Sequence, residues 1–189
     1  MTSDIKRRMI EQTEALLAKK GLHGTSFTEV LQASGAPRGS LYHHFPGGKE
    51  ELVLAALGTA RDMAILSLES LRGKPAEEIA RAFFVLWRTV LSRSNLDAGC
   101  AVLSVTVAAH SPALLDGAAR VFRDWRVRLG DLLIEGGVPK SRATAIATLM
   151  ISAAEGAVAL SRAEKSFEPL DSVAVELQAV VKATSKKRR

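Results

Sequence analysis

Within residues 38–49 the chain sets Arg38, Ser40, Tyr42, His43, His44 and Lys49 close together around two apolar residues, Leu41 and Phe45. Leu41 and Phe45 are four apart, so in a helix they share one face and point inward together. At about 100° per residue, Gly39, Ser40 and His43 then point away from that face, Tyr42 and His44 lie on its flanks, and Arg38 stands in the exposed first turn. Such a surface suits duplex DNA. The Arg38 guanidinium can donate two parallel hydrogen bonds to guanine O6 and N7, Ser40 can meet a base or a phosphate, and Gly39 lets the backbone approach closely. Tyr42, His44 and Lys49 are spaced to hold phosphates on either side, which fixes register without reading sequence. Thr28, in the first turn of the preceding helix, adds a contact where helix amides also face the backbone.

The elements that must position these groups are written just upstream. Lys19 and Lys20 suit the negative end of a first helix, and Gly21 can take the left-handed conformation beyond it. Ser26, Phe27, Thr28 and Glu29 have the spacing of a capping box, so a second helix of about eight residues starts there. The run Ser34, Gly35, Ala36 breaks it, and Pro37 starts a third helix. Two short helices joined by a three-residue turn with a central glycine make a helix-turn-helix, whose second helix can enter the major groove. Val30 and Leu31 offer the apolar surface that Leu41 and Phe45 need.

Other chemistries find little support. The single cysteine, Cys100, excludes a disulfide framework, and the four scattered histidines do not complete a metal set around it. His43 and His44 are adjacent and diverge by about 100°, so they cannot chelate one ion. His110, Ser111 and Asp116 make a triad on paper, yet Ser111 followed by Pro112 reads as a helix cap with a first-turn proline. No glycine-rich phosphate loop, nucleophile elbow or outward pair of carboxylates is present. Cys100 itself begins a helix, where it is either an oxidant-sensing thiolate or a buried inert thiol. The expectation is a non-enzyme with no cofactor. The alternatives are an all-helical enzyme and a DNA-binding protein without an effector.

The 189 residues, 47% hydrophobic and 24% charged, exclude a disordered chain and can bury a sizeable core. Residues 1–50 carry a net charge of +2, residues 51–181 of −1, and Lys182, Lys186, Lys187, Arg188 and Arg189 add +5. That basic tail either attracts phosphate or is simply solvated. The first residues meet charge at once, with no secretory signal, so a cytoplasmic location is expected. Residues 143–160 approach membrane-spanning length but carry Thr144, Thr148, Ser152 and Glu155 as one polar stripe, so a packed soluble helix is expected and no membrane partner.

Periodicity and proline placement predict an all-α fold of about nine helices, at roughly 4–20, 26–33, 37–45, 48–71, 75–92, 98–109, 112–135, 139–164 and 169–184. The sixth alternates partly like a strand. In the fifth, Ile79, Phe83, Leu86, Trp87 and Val90 form an apolar stripe; in the seventh, Leu115, Ala118, Phe122, Trp125, Leu129 and Leu132 do so, with an Asp124–Arg128 pair opposite. Helices lengthen after residue 47. This divides the chain into a helix-turn-helix domain (1–47), an effector-binding and dimerisation domain (48–184) and the basic tail (185–189), with the fourth helix as the joint. Phe83, Trp87, Thr106, Phe122, Trp125, Met150 and Glu155 are candidate ligand contacts, with core packing as the competing reading for each aromatic. Glu155 either anchors a ligand or hydrogen-bonds between helices.

The strings Thr-Ser-Phe-Thr-Glu-Val, Ser-Gly-Ala-Pro-Arg-Gly-Ser-Leu-Tyr-His-His-Phe and Gly-Lys-Glu-Glu-Leu resemble the amino-terminal domain of the TetR (tetracycline repressor) family of bacterial transcriptional regulators, over about residues 5–55. Gly99, Cys100 and Trp125 are similar to the subgroup that includes the LmrA/YxaF-type regulators. The resemblance implies an all-helical homodimer that binds operator DNA, a double-stranded site, and is released by a small molecule. With two copies of the third helix facing a palindromic operator and the large apolar side chains concentrated in the fifth to eighth helices, the expectation is a repressor released by a small lipophilic effector.

Overall fold

A computed structural model describes residues 2–185, and side chains from residue 4 onward. Among them the fold is all-α, with nine helices: α1 Thr2–Lys20, α2 Phe27–Ser34, α3 Ser40–His44, α4 Gly48–Glu69, α5 Ala76–Arg93, α6 Ala101–Ala108, α7 Pro112–Glu135, α8 Lys140–Glu164 and α9 Glu168–Thr184. Of the basic tail, Lys182 lies in α9, where it pairs with Glu77 at 3.2 Å. Lys186, Lys187, Arg188 and Arg189 lie outside the described residues.

Most helix limits fall within three residues of those expected. The third starts three residues later than expected, because the Ser40 amide donates to the Pro37 carbonyl at 2.9 Å and closes a tight turn before the helix begins. Arg38 therefore stands in that turn and not in the first turn of α3. The strand-like sixth segment is a helix, started by Cys100 Sγ accepting from the Leu103 amide at 3.4 Å and packed on α1. Tertiary packing has overridden a β-branched sequence.

The chain divides into two compact units whose limits do not follow a cut at residue 48. One holds the chain up to Met63 together with Cys100–Phe122, and the other holds Ala64–Gly99 and the chain from Arg123 onward. The return of residues 100–122 to the amino-terminal unit has local causes. Beyond the α1–α6 contact, the Ser111 hydroxyl donates to Glu50 Oε2 at 2.5 Å, tying the start of α7 to the first turn of α4.

In the first unit Met9, Val30, Leu41, Phe45 and Leu52 form the buried core under the helix-turn-helix, with Phe27 and Leu31 packed against it. In the second, α9 packs on α5 and α8, and α5 also meets α8. Arg88 clamps Asp171 from α5 to α9, at 2.9 Å and 3.3 Å, while its guanidinium lies 4.5 Å from the centre of the Phe167 ring. Gly136 fits where no side chain would, since a Cβ there would come within 2.6 Å of the Ala76 nitrogen.

Two expected side-chain arrangements differ. Leu86, Val90 and Leu115 keep more than a third of their surface exposed, because periodicity defines a face without supplying an element to cover it. Arg128 reaches α4, where it engages Glu69 at 2.5 Å. Within the described residues α8 alone is long and apolar enough to cross a membrane, and half of its most apolar stretch is buried in the protein, as a core helix would be.

Candidate nucleic-acid interface

The helix-turn-helix is held from both ends of α2. At its start the Ser26 side chain accepts from the Glu29 amide at 3.3 Å, and the Glu29 carboxylate accepts from the Ser26 amide at 3.0 Å, which completes the capping box. Lys20, the last residue of α1, donates to the same carboxylate at 2.5 Å. These contacts, Lys20 first and the Ser26 amide second, hold the Glu29 carboxyl down at a pKa of about 2. At the other end Gly35 adopts φ +64°, the left-handed conformation, and its successor Ala36 donates back to the Leu31 carbonyl at 3.1 Å. A branched side chain at Gly35 would strain this turn.

From that corner the chain passes into α3, only five residues long. Leu41 and Phe45 are almost wholly buried and pull the helix onto the core, and the Phe45 amide donates to the Leu41 carbonyl at 2.7 Å. The opposite surface is open. Arg38, Gly39, Tyr42 and His43 are exposed, Ser40 and His44 are half-buried at its edges, and Thr28 is exposed at the start of α2. Arg38 makes no hydrogen bond or ion pair with the described residues. Tyr42 meets Phe27 edge to face, ring centres 6.1 Å apart, and is 68% exposed. The His43 and His44 rings meet edge to face at 4.9 Å.

Seven of the eight expected DNA-contacting residues thus share the surface around α3 and the start of α2. Lys49 differs in its engagement. Its ammonium donates to the Leu22 carbonyl at 2.8 Å, and partial burial pushes its pKa down. It therefore ties the start of α4 to the turn after α1, with two of its three donors left for another partner. Sequence reading missed this because the contact spans 27 residues. It also missed Phe27 as the brace for Tyr42, since a residue in a capping box carries no signal of a cross-helix contact.

The expected ligand contacts are spread over both units. Phe83, Trp87, Trp125, Met150 and Glu155 belong to the second, and all but the half-buried Trp87 are buried. Phe83 packs edge to face on Phe84 at 5.3 Å. Thr106 and Phe122 belong to the first; Thr106 is exposed, and its hydroxyl donates within its own helix to the Val102 carbonyl at 2.8 Å. An open depression at the start of α9, lined by Phe167, Asp171 and Val175 among others, includes none of the seven.

Residues 9–56 match the family model for bacterial regulatory proteins of the TetR family, and residues 75–176 match that for the carboxy-terminal domain of LmrA/YxaF-like transcriptional regulators. The chain belongs to the TetR family. An uncharacterised HTH-type transcriptional regulator of Mycobacterium tuberculosis is 33% identical over 180 residues, with 92% of each chain covered. The regulator YxaF of Bacillus subtilis is 27% identical, covering 96% of this chain and 98% of its own. A solved TetR transcriptional regulator from Chloroflexus aurantiacus superposes with a TM-score of 0.81 at 26% identity, with 97% of each chain covered. A TetR-family member is a DNA-binding transcriptional regulator, and the α2–α3 corner lies within the residues 9–56 that the amino-terminal model covers.

The low pKa of Glu29 gives the corner a defined acid limit. A depressed carboxyl stabilises the fold fully above its unfolded value of 4.5, and that stability is lost as pH falls from 4.5 to about 2. In Glu29→Gln the midpoint of thermal unfolding should be lower at neutral pH, yet should decline less than the unaltered protein's over that acid range. Parallel pH profiles for the two proteins would contradict the assignment.

Proposed function

We propose that this TetR-family regulator is a cytoplasmic repressor that reads a palindromic operator with α3 and leaves it when a small lipophilic effector binds. The observation that carries the DNA reading is the outward surface of the α2–α3 corner, polar at nearly every position of α3 and headed by an exposed Arg38 with no intramolecular partner among the described residues. Arg38 reads a guanine. Gly39, Ser40 and His43 face the base edges, and Thr28, Tyr42, His44 and Lys49 hold phosphates on the two strands bordering the groove. Residues 1–47 are the reading domain in this scheme, and 48–184 supply dimerisation and effector binding.

A homodimer would present two such corners about 34–36 Å apart, one duplex turn, to the two half-sites. The surface of α8 and α9 supports this assembly. Leu149, Leu160 and Val175 are 46%, 53% and 64% exposed, and a Cβ on Gly156 would meet open space, so two copies of α8 can approach closely there.

The effector site belongs to the second unit, which supplies the large apolar side chains Phe83, Trp87, Trp125 and Met150 and, in Glu155, a buried carboxyl group. A ligand held there is mostly apolar and aromatic. Its binding changes the spacing of the two α3 helices, so both half-sites are no longer met together.

Selection from a randomised duplex pool should return a palindrome with one G·C pair per half-site dependent on Arg38. Arg38→Ala should relax the preference at that pair, at a cost of about 1–3 kcal/mol, and leave the other positions read as before. Retention of both affinity and preference would remove Arg38 from the reading. Lipophilic aromatic compounds titrated into the protein should quench tryptophan fluorescence and weaken operator binding by a coupling of about 1–3 kcal/mol, with operator DNA weakening their binding by the same factor. Quenching without any change in operator affinity would separate ligand binding from regulation.

A further inference from the structure

Of the three basic residues that open α1, two are matched within the helix. Arg7 donates to Asp4 at 2.5 Å and to Glu11 at 2.6 Å, and Arg8 shares Asp4 at 3.5 Å. Lys6 is not matched: it is exposed, and its one interaction among the described residues is with the Phe45 ring, whose centre lies 5.3 Å from Nζ. Phe45 is the residue that ends α3, and it is fully buried beneath this contact. A lysine whose stem crosses a buried aromatic keeps its ammonium at the surface, with all three donors free for a partner outside the protein. The uncompensated charge of α1 is therefore fixed against the far end of α3.

That position has a consequence for DNA. A helix lying in a major groove about 12 Å wide has a phosphate strand close on each side, and a cation anchored at the end of the helix comes within reach of one of them. Lys49, on the α4 side, already donates to Leu22. We infer that Lys6 is a phosphate-contacting residue of the DNA interface, supplied by α1 beside the carboxy-terminal end of α3. The inference rests on the proposed DNA reading, and it adds one phosphate contact per subunit that carries no sequence information.

Lys6→Met tests it, because an unbranched apolar side chain still covers Phe45 while the charge is removed. Affinities for a selected operator and for a duplex of scrambled sequence are measured across a salt series, with thermal unfolding as the check on folding. The log–log salt slope should become shallower by about 0.9 per subunit, or about 1.8 per dimer. Affinity for the two duplexes should fall by the same factor, Lys6→Arg should keep the unaltered slope, and the already neutralised control Arg7→Met should keep it too. Should Lys6→Met unfold, Lys6→Gln takes the same series, and ethylation interference should lose one phosphate per half-site with either variant. A slope and interference pattern equal to the unaltered protein's would overturn the inference while leaving the DNA reading intact. An equal loss of slope in Arg7→Met would overturn it in favour of general charge. Failure of the unaltered protein to bind either duplex would overturn both.

Discussion

A helix of five residues cannot hold itself together in water, since the cost of nucleating a first turn is not recovered over so short a length. In this regulator α3 exists because Leu41 and Phe45 are buried against Met9, Val30 and Leu52. Each such burial contributes about 1.5–3 kcal/mol, which is enough to fix a single short turn. Everything proposed for the protein depends on that anchorage. The inward face is committed to the core, so the outward face can be polar at nearly every position and still be held rigidly.

The remainder of the first unit serves the same end by different chemistry. The Ser26–Glu29 box and the Lys20 ion pair set where α2 starts, and Gly35 sets where it stops, so the angle at which α3 leaves is decided by hydrogen bonds and one left-handed residue. Lys49 and Ser111 then attach the start of α4 to the turn after α1 and to the start of α7. Short elements are thereby converted into one body by contacts between residues far apart in sequence.

This explains what could be read from the sequence and what could not. Local signals were legible: the capping box, the glycine turn, the 3.6-residue stripe of α7 through Ala118, Trp125, Leu129 and Leu132, and the Leu41–Phe45 pair all lie within a few residues of one another. The start of α3 was not, because Pro37 read as a first-turn residue while its carbonyl closes a turn with Ser40. Non-local outcomes were equally hidden. Arg128 had a partner at i−4 in Asp124 on paper and engages Glu69 instead, residues 100–122 returned to the amino-terminal unit, and Leu115 kept an open face. Of the interface, residue types and facing were legible, whereas the engagement of Lys49 with Leu22 and the bracing of Tyr42 by Phe27 required the third dimension.

Native-state hydrogen exchange at the Phe45 amide tests most directly whether burial is what holds the reading helix. This amide donates to Leu41 within α3, and the Val30 amide donates to Ser26 within α2, over the same core. If the core holds both helices as one cooperative body, the two amides should open with the same free energy. A Phe45 amide exchanging nearly as fast as a free peptide, while Val30 stays protected, would mean that α3 is not held by its buried anchors and that its outward face is ordered only when DNA is bound.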